Sequence, residues 1–285
     1  MIGIAVNIGM INAFGRSQVM LNQSAQRLAT GQRINAGRDD PAGLIASENL
    51  EAQLAALEAE SRAMERNDAV VRTAEAALAE VNGMLVRGEG LAVAAANTGA
   101  MSDAERDAIQ MEMDSINQSA ERAFRTASFA GEPLFNGEFS VPSGDGGTPL
   151  NLGRLSIGSL GATNIDGDLF VQRDTGSGES LSLNGDRVGD AQRVLAESRG
   201  QIATLRGQLG MFQRNDIGAR RASLGAEFVN VSDANSNIRD TDYASELVNF
   251  ARRRTLRDSA SAILSIANQS PQNVFIALGF NSRRL

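Results

Sequence analysis

The sequence predicts a mainly α protein: a long antiparallel helical hairpin, or coiled-coil rod, with paired terminal helices and a small β-rich insert. Three observations carry that expectation. Apolar residues recur every seven positions at Leu50, Leu57, Met64, Val71, Leu78 and Leu85, and again at Val188, Leu195, Ile202 and Leu209. Between these stripes, from about Ala130 to Asp186, the texture turns to Gly, Ser, Thr, Asn and Asp. Outside them lie two end segments with narrower, more polar stripes.

The first long stripe has no proline between Pro41 and about Asn97, and at roughly 1.5 Å per residue it makes a rod of ~75 Å. The residues one position ahead of it, Ala56, Ala63, Val70, Ala77 and Met84, are small or apolar and widen it. Gly83, Gly88 and Gly90 are expected to weaken or end the helix in its last turns. A second helix follows near Ser102 to Phe124, opened by "SDAE", in which Ser102 caps and Glu105 completes a capping box. In the central segment "LSIGSL", "DLFVQ" and "SLSLNG" read as hairpin strands with loose turns. In the second long stripe Leu205 and Phe212 add a neighbouring ridge, and a phase shift at Asn215 to Gly218 resets the pattern to Ile217, Leu224, Phe228 and Val231. A final helix runs from about Asp242 to Gln269, announced by Asp240, Thr241 and Asp242.

Two stripes of similar length joined through a compact insert bury each other by folding back antiparallel, which brings the chain ends together. The expected division is a terminal domain of 1–40 and 241–285, a rod of 41–137 and 187–240, and an insert of 138–186.

The N-terminal stripe, Ile4, Ile8 and Ile11, then Met10, Phe14, Leu21 and Leu28, is diluted by Ser17, Gln18, Asn22, Gln23, Ser24 and Gln26. Its C-terminal counterpart contains Leu264 and ends in an apolar "PQNVFIALGF" with Val274, Phe275 and Leu278. Helices this polar are marginal alone in water, and one helix pair buries too little to offset their ordering entropy. Several copies of one chain can supply the missing area, and a head-to-tail contact that does not close makes an open helical polymer. The ends are then expected to be disordered in the monomer and helical in the assembly. The alternative is that they fold back on the rods within a monomer.

Composition excludes several classes. A net charge of −7 and a pI near 4.9 argue against a nucleic-acid binder, and the 27 basic residues are all Arg and scattered, leaving no polybasic patch for anionic lipid. No Cys and no His removes thiol chemistry, imidazole bases and His-containing metal sites. With 4% aromatic residues, no Trp and a single Tyr243, the core is thin for a compact enzyme. No apolar run approaches the roughly 18 residues that span a bilayer, and "MIGIAVNIGMINAFGR" lacks the charged start of a cleavable signal peptide. No enzyme, cofactor or metal is expected.

The one stretch that invites chemistry is "GQRINAGRDDPAGLIASENL", with Asp39 and Asp40 adjacent. Adjacent carboxylates seldom point at one substrate, whereas Asp40 ahead of Pro41 suits a helix N-cap. Arg33 and Arg38 either pair with these carboxylates or stay solvated at a bend. "NIDGDL" (Asn164 to Leu169) and "NGDRVGD" (Asn184 to Asp190) lack the ligand spacing of a calcium loop and read as turns.

The N-terminal run "SQVMLNQSAQRLATGQRINAGRDDPAGLIASENL" resembles bacterial flagellins in Leu21, Ser24, Arg27, Leu28, Gly31, Arg33, Ile34, Asn35, Asp39, Asp40, Ala42, Gly43 and Leu44. The C-terminal "SNIRDTDYASE" and "ANQSPQNVF" resemble that family's end signatures at Ile238, Asp240, Asp242, Tyr243, Ala244, Glu246 and Ala267 to Val274. The resemblance spans roughly 1–137 and 186–279. It implies an extracellular filament subunit exported through the flagellar type III apparatus, with itself, an export chaperone, and cap and junction proteins as partners, and with no nucleic acid and no membrane insertion.

The terminal helices would form an inner tube packed through Ile4, Ile8, Ile11, Phe14, Leu21, Leu28, Leu264, Val274, Phe275 and Leu278. Arg33, Asn35, Arg38, Asp39, Asp40 and Pro41 would connect it to an outer tube, whose core is Leu50, Leu57, Met64, Val71, Leu78, Leu85, Leu195, Ile202 and Leu209. The insert would face solvent, where Ser140, Ser143, Thr148 and Ser177 are candidate O-glycosylation positions. The chain departs from the pattern in its added "GFNSRRL" (Gly279 to Leu285). It departs again at the surface sensed by an innate toll-like receptor, where Glu89 stands for Arg and Gly90 for Glu while Leu91 and Glu112 keep family-like places. Weak receptor sensing is expected. A hook–filament junction protein would share these helices; a secreted enzyme with a metalloprotease insert would need the His this chain lacks.

Overall fold

The structure, a computed structural model, describes residues 2–97, 101–144 and 146–277, with side chains in the terminal helices described from 11 inward and up to 266. Its elements are α1 (Ile2–Thr30), α2 (Pro41–Ala96), α3 (Asp103–Thr126), six short strands, α4 (Val188–Met211), a π turn (Phe212–Ile217), α5 (Gly218–Arg239) and α6 (Tyr243–Ala277). They form two compact units, 1–56 with 228–285 and 57–227. These divisions fall inside α2 and α5, not at the breaks in helix near 40 and 241 where the expected domains were drawn.

The 57–227 unit has a continuous apolar core. Val71, Leu78 and Leu85 of α2, Met113, Ile116 and Phe124 of α3, and Leu195, Ile202 and Leu209 of α4 are all buried in one cluster. Leu134, Phe135, Leu152, Leu160, Leu181 and Leu183 join it from the segment between α3 and α4, and Phe124 meets Phe135 edge-on at 5.8 Å. Polar side chains bridge α2 and the helices running back along it: Gln192 to the Ala92 carbonyl at 3.1 Å, Arg199 to Glu89 at 3.0 Å, Gln213 to Asp68 at 2.7 Å and Arg220 to Glu60 at 2.7 Å. One partner number rises as the other falls, so the pairing is antiparallel.

The glycines do not end α2. It runs through Gly83, Gly88 and Gly90 to Ala96. Packing overrides propensity here: at buried Gly88 an added Cβ would lie 3.3 Å from Met113 Sδ and 3.5 Å from Leu195 Cδ2, so the missing side chain lets α3 and α4 come close. The helix from Asp103 opens on Ser102 with the full capping box to Glu105, and those hydrogen bonds hold the Glu105 carboxyl below its ordinary pKa.

Among the described residues between α3 and α4 lie three antiparallel strand pairs: β1 (Ser128–Phe129) with β2 (Glu132–Pro133), ahead of the expected insert, and β3 (Ser140–Val141) with β4 (Leu150–Asn151) and β5 (Thr163–Ile165) with β6 (Asp168–Phe170) within it. "DLFVQ" starts β6, and "NIDGDL" is its turn, with Asp166 at φ 56° and Gly167 at φ 97° as a right-twisted two-residue hairpin requires. "LSIGSL" and "SLSLNG" are not strands. In "SLSLNG" Leu181 and Leu183 alternate inward into the core, and in "LSIGSL" Leu160 is buried; the backbone of both is engaged in turns, Leu160 N–H to the Ser156 carbonyl and Gly185 N–H to the Ser182 carbonyl. A docked loop and a half-buried strand leave the same period-two trace in sequence.

Beneath the insert lies a closed polar network. Ser198 Oγ donates to Gln172 Oε1 at 2.9 Å, Gln172 Nε2 to Asn117 Oδ1 at 2.9 Å and Asn117 Nδ2 to Thr175 Oγ1 at 3.1 Å. Gln110 continues it to the Thr175 carbonyl at 3.0 Å. These side chains are buried, and such a network is tolerable only when its members are satisfied.

The 1–56 and 228–285 unit is built differently. α1 and α6 run antiparallel along a seam in which Phe14, Ser17, Leu21, Ser24 and Leu28 face Glu246, Phe250, Arg253, Arg257, Ala260 and Leu264. Both sets recur at alternating spacings of three and four, the geometry of a coiled-coil seam, but five of these eleven positions are polar. Leu50 of α2, expected in the rod core, is only half-buried here, as is Leu57 in the other unit.

Candidate assembly site

At the end of the α1–α6 pair the two flagellin-like signatures meet. Ser24 Oγ donates to Glu246 Oε1 at 2.5 Å and accepts from Arg253 Nη1 at 2.8 Å, and Arg253 also donates to the Met20 carbonyl at 2.8 Å. Arg27 lies 3.7 Å from the far oxygen of Glu246, whose residue is 7% exposed. One hydroxyl thus sits between an acid and a base one heptad apart on α6, so Glu246 is shielded without being unpaired.

Next along the chain, α1 stops at Thr30 because Gly31 takes φ 73°, a conformation glycine adopts without strain. An added Cβ there would lie 3.0 Å from the Tyr243 hydroxyl. Thr241 N–H bonds the Gly31 carbonyl at 2.8 Å and Arg33 N–H the Arg239 carbonyl at 2.6 Å, clamping the two links side by side. The Arg33 guanidinium donates to the Ile238 carbonyl and meets neither Asp39 nor Asp40. Arg38 is 3.9 Å from Asp39 with its side chain 79% exposed, a contact of little strength.

Asp39 and Asp40 have separate structural tasks. Asp39 Oδ2 accepts from the N–H groups of Asn35 at 3.2 Å and Ala36 at 3.1 Å, and its Oδ1 from Gln23 at 3.2 Å. Burial pushes its pKa up, but these hydrogen bonds and the Arg38 charge together hold it below the ordinary value. Asn35 itself donates to the Gln32 carbonyl at 2.7 Å. Asp40 Oδ1 caps α2 by accepting Gly43 N–H at 2.9 Å, with Pro41 as the first helical residue. Asp242 caps α6 likewise, accepting from Ala244 N–H at 2.9 Å; bonds from the Ser245 hydroxyl and from the Ser245 and Ala244 N–H groups lower its pKa.

Four residues that the sequence singled out only by resemblance make this geometry. Ile34 is 1% exposed inside the bend, and Gly43 has no room for a side chain, since a Cβ would lie 2.5 Å from Asp40 Oδ2 and 2.7 Å from Ile34 Cδ1. Ser24 reads in sequence as dilution of an apolar stripe and Glu246 as part of an end signature, although each falls on its helix's three-four spacing, which was the available signal.

Of the residues expected to pack the terminal helices, Leu21 is buried, Phe14, Leu28 and Leu264 are half-buried and Ile11 is exposed. The side chains of Ile4, Ile8, Val274 and Phe275, and all of Leu278, lie outside the described residues. Val19, Met20, Leu247, Val248, Leu256, Ile263 and Ile266 are exposed, and Met20, Leu256 and Ile263 line an open groove of about 530 Å³ with Ala13 and Ala260. Arg27 Nε, Arg239 Nε and Thr241 Oγ1 are shielded yet have no hydrogen-bond partner. In the other unit Glu89 pairs with Arg199, Leu91 packs against the core, and Gly90 and Glu112 are exposed.

A helix pair that leaves its aliphatic side chains exposed presents a face that further protein can cover. The chain matches the bacterial flagellin N-terminal helical region over residues 5–140 and the C-terminal helical region over residues 193–278. It is 30% identical to the flagellin of Bacillus subtilis (strain 168), over 94% of this chain and 97% of that protein. It is 28% identical to the flagellar filament 30.7 kDa core protein of Treponema maltophilum, over 94% and 98% of the two chains. A solved structure described as a flagellar hook-associated protein from Vibrio parahaemolyticus shares the fold, with a TM-score of 0.59 at 14% identity over 71% of this chain and 100% of that one. The chain belongs to the bacterial flagellins, and it is a structural subunit of the flagellar filament.

Proposed function

We propose that the α1–α6 pair is the part of the subunit that the polymer buries, with 1–40 and 241–285 in an inner tube, 41–137 and 187–240 in an outer tube and 138–186 facing solvent. The observation that carries this is the apolar face of the pair: among the described residues of that unit only Leu21 and Ile34 are fully buried apolar side chains, while Val19, Val248 and Ile266 stay more than 60% exposed. Copies of the same chain supply the missing neighbours, and the terminal helices order as they assemble.

By the same family membership the chain leaves the cell through the flagellar type III apparatus, held beforehand at its C-terminal segment by an export chaperone, and meets cap and junction proteins at the filament ends. It has no enzymatic role. Purified protein at high salt is expected to grow long filaments under the electron microscope; short, non-elongating rings or rods would favour a junction protein. Proteolysis of the dilute monomer is expected to cut within residues 1–40, and protection there would sink the ordering step.

A further inference from the structure

An asparagine followed by glycine exposes its side-chain amide to attack by the next backbone nitrogen, because glycine puts no side chain in the way. The chain has three such pairs, Asn82–Gly83, Asn136–Gly137 and Asn184–Gly185. Two of them are held against that attack. Asn82 and Gly83 lie inside α2, where the Gly83 N–H belongs to the helical ladder. The Gly185 N–H is tied to the Ser182 carbonyl at 3.1 Å, and Asn184 Nδ2, the group that would leave, donates to Asp107 Oδ1 at 3.2 Å.

Asn136, exposed in the turn after β2, is placed differently. Its Oδ1 accepts the N–H groups of Glu138 at 2.9 Å and Phe139 at 3.0 Å, which folds the side chain over the Gly137 peptide, and its Nδ2 has no partner among the described residues. Two N–H groups on an amide oxygen stabilise the negative charge that the oxygen gains when a nucleophile adds to its carbon. Gly137 stands at φ 89°, and the bridge that ties this turn to Arg154 is one residue long, so local opening frees its nitrogen. We propose that Asn136 is a self-modifying site that deamidates ahead of Asn82 and Asn184. The Gly137 nitrogen gives its proton to solvent and bonds Asn136 Cγ, the Cγ–Nδ2 bond breaks as ammonia leaves, and water opens the resulting cyclic imide to aspartate or isoaspartate. The product adds one negative charge across from Arg154, whose guanidinium makes no ion pair among the described residues. Isoaspartate also lengthens the backbone at the bridge by one methylene and loosens it. Water is the sole co-reactant, so the converted fraction records the age of a subunit.

Ageing the soluble full-length chain at mildly alkaline pH, with peptide mapping that separates asparagine, aspartate and isoaspartate, gives a rate for each pair, and the same chain unfolded in urea gives its reference. Asn136 is expected to convert in the folded chain at least as fast as in the unfolded one. Asn82 and Asn184 should slow by about tenfold or more on folding, the worth of one hydrogen bond that must break first. Glu138→Pro removes one of the two N–H donors and should slow Asn136 severalfold while leaving Asn184 unchanged. A folded Asn136 slowed as much as Asn184 would overturn the proposal, as would a parental Asn136 rate in a folded Glu138→Pro chain. If that variant does not fold, the parental rates decide alone.

Discussion

The two units of this chain solve the burial problem in opposite ways. The 57–227 unit places three helices and a loop-rich insert around one cluster in which Leu78, Leu85, Met113, Leu195 and Ile202 lose all but 1% of their exposure. The 1–56 and 228–285 unit has a seam of three-four geometry in which Ser17, Ser24, Glu246, Arg253 and Arg257 are interspersed with Phe14, Leu21, Leu28, Phe250, Ala260 and Leu264, and it leaves Val19, Val248, Leu256 and Ile266 exposed. One is stable by its own interior; the other is specified by polar contacts and left short of apolar burial. On the assembly proposed above, polar seam contacts select a pairing geometry at little driving force, and neighbouring copies supply the remaining burial.

The sharpest way to break this contrast is a matched pair of truncations. Leu195→Ala should destabilise the soluble chain by about 2–5 kcal/mol in denaturant unfolding, because it opens a cavity in a closed core. Leu21→Ala should leave that transition nearly unchanged while slowing filament growth; equal losses from both would mean that the terminal unit carries its own core. Next in size is Gly43→Ala, expected to cost about 1–3 kcal/mol in filament stability, since the new methyl group meets Asp40 and Ile34 within contact distance. Depolymerisation temperature reads that effect. Ser24→Ala removes the hydroxyl between Glu246 and Arg253, and about 1 kcal/mol per subunit is expected to go with it. Thr in place of Ser24 keeps the hydroxyl and should restore most of the loss.

What was legible in sequence followed from periodicity. Val71, Leu78, Leu85, Leu195, Ile202 and Leu209 lie where a seven-residue repeat puts them, and even the π turn showed as a phase shift near Asn215. Capping chemistry was equally legible at Ser102 and Asp40, because a cap is a bond between residues three apart. Contacts between distant segments were not. Nothing local says that Gly88 yields to Met113, that the leucines of "SLSLNG" dock on helices without a strand ladder, or that Arg33 reaches the Ile238 carbonyl in preference to a carboxylate six residues away. Long-range geometry decides each of these, and a single sequence records it only as residue types with more than one use.

The smallest effect tests whether the bend belongs to the polar, conditional half of the contrast. Asp39 folds residues 35–39 back on themselves by accepting two N–H groups and the Gln23 amide, and its pKa in the fold lies below the ordinary aspartate value. A group whose folded pKa is depressed contributes stability that is complete above the unfolded pKa and is lost as pH falls through the folded one. The window therefore opens near the ordinary aspartate value, about 4, and closes below it. Filaments of the parent should lose stability as pH drops through that window, and Asp39→Asn filaments, weaker at neutral pH, should lose less, since an amide can still accept one N–H and does not titrate. Amide hydrogen exchange at Asn35 and Ala36 localises the effect: faster exchange at acid pH in the parent and pH-independent protection factors in the variant are expected. If the parent's protection at those two positions did not change with pH, the bend would be held by the backbone clamp at Gly31 and Thr241 alone, and Asp39 would be a solvated charge beside it.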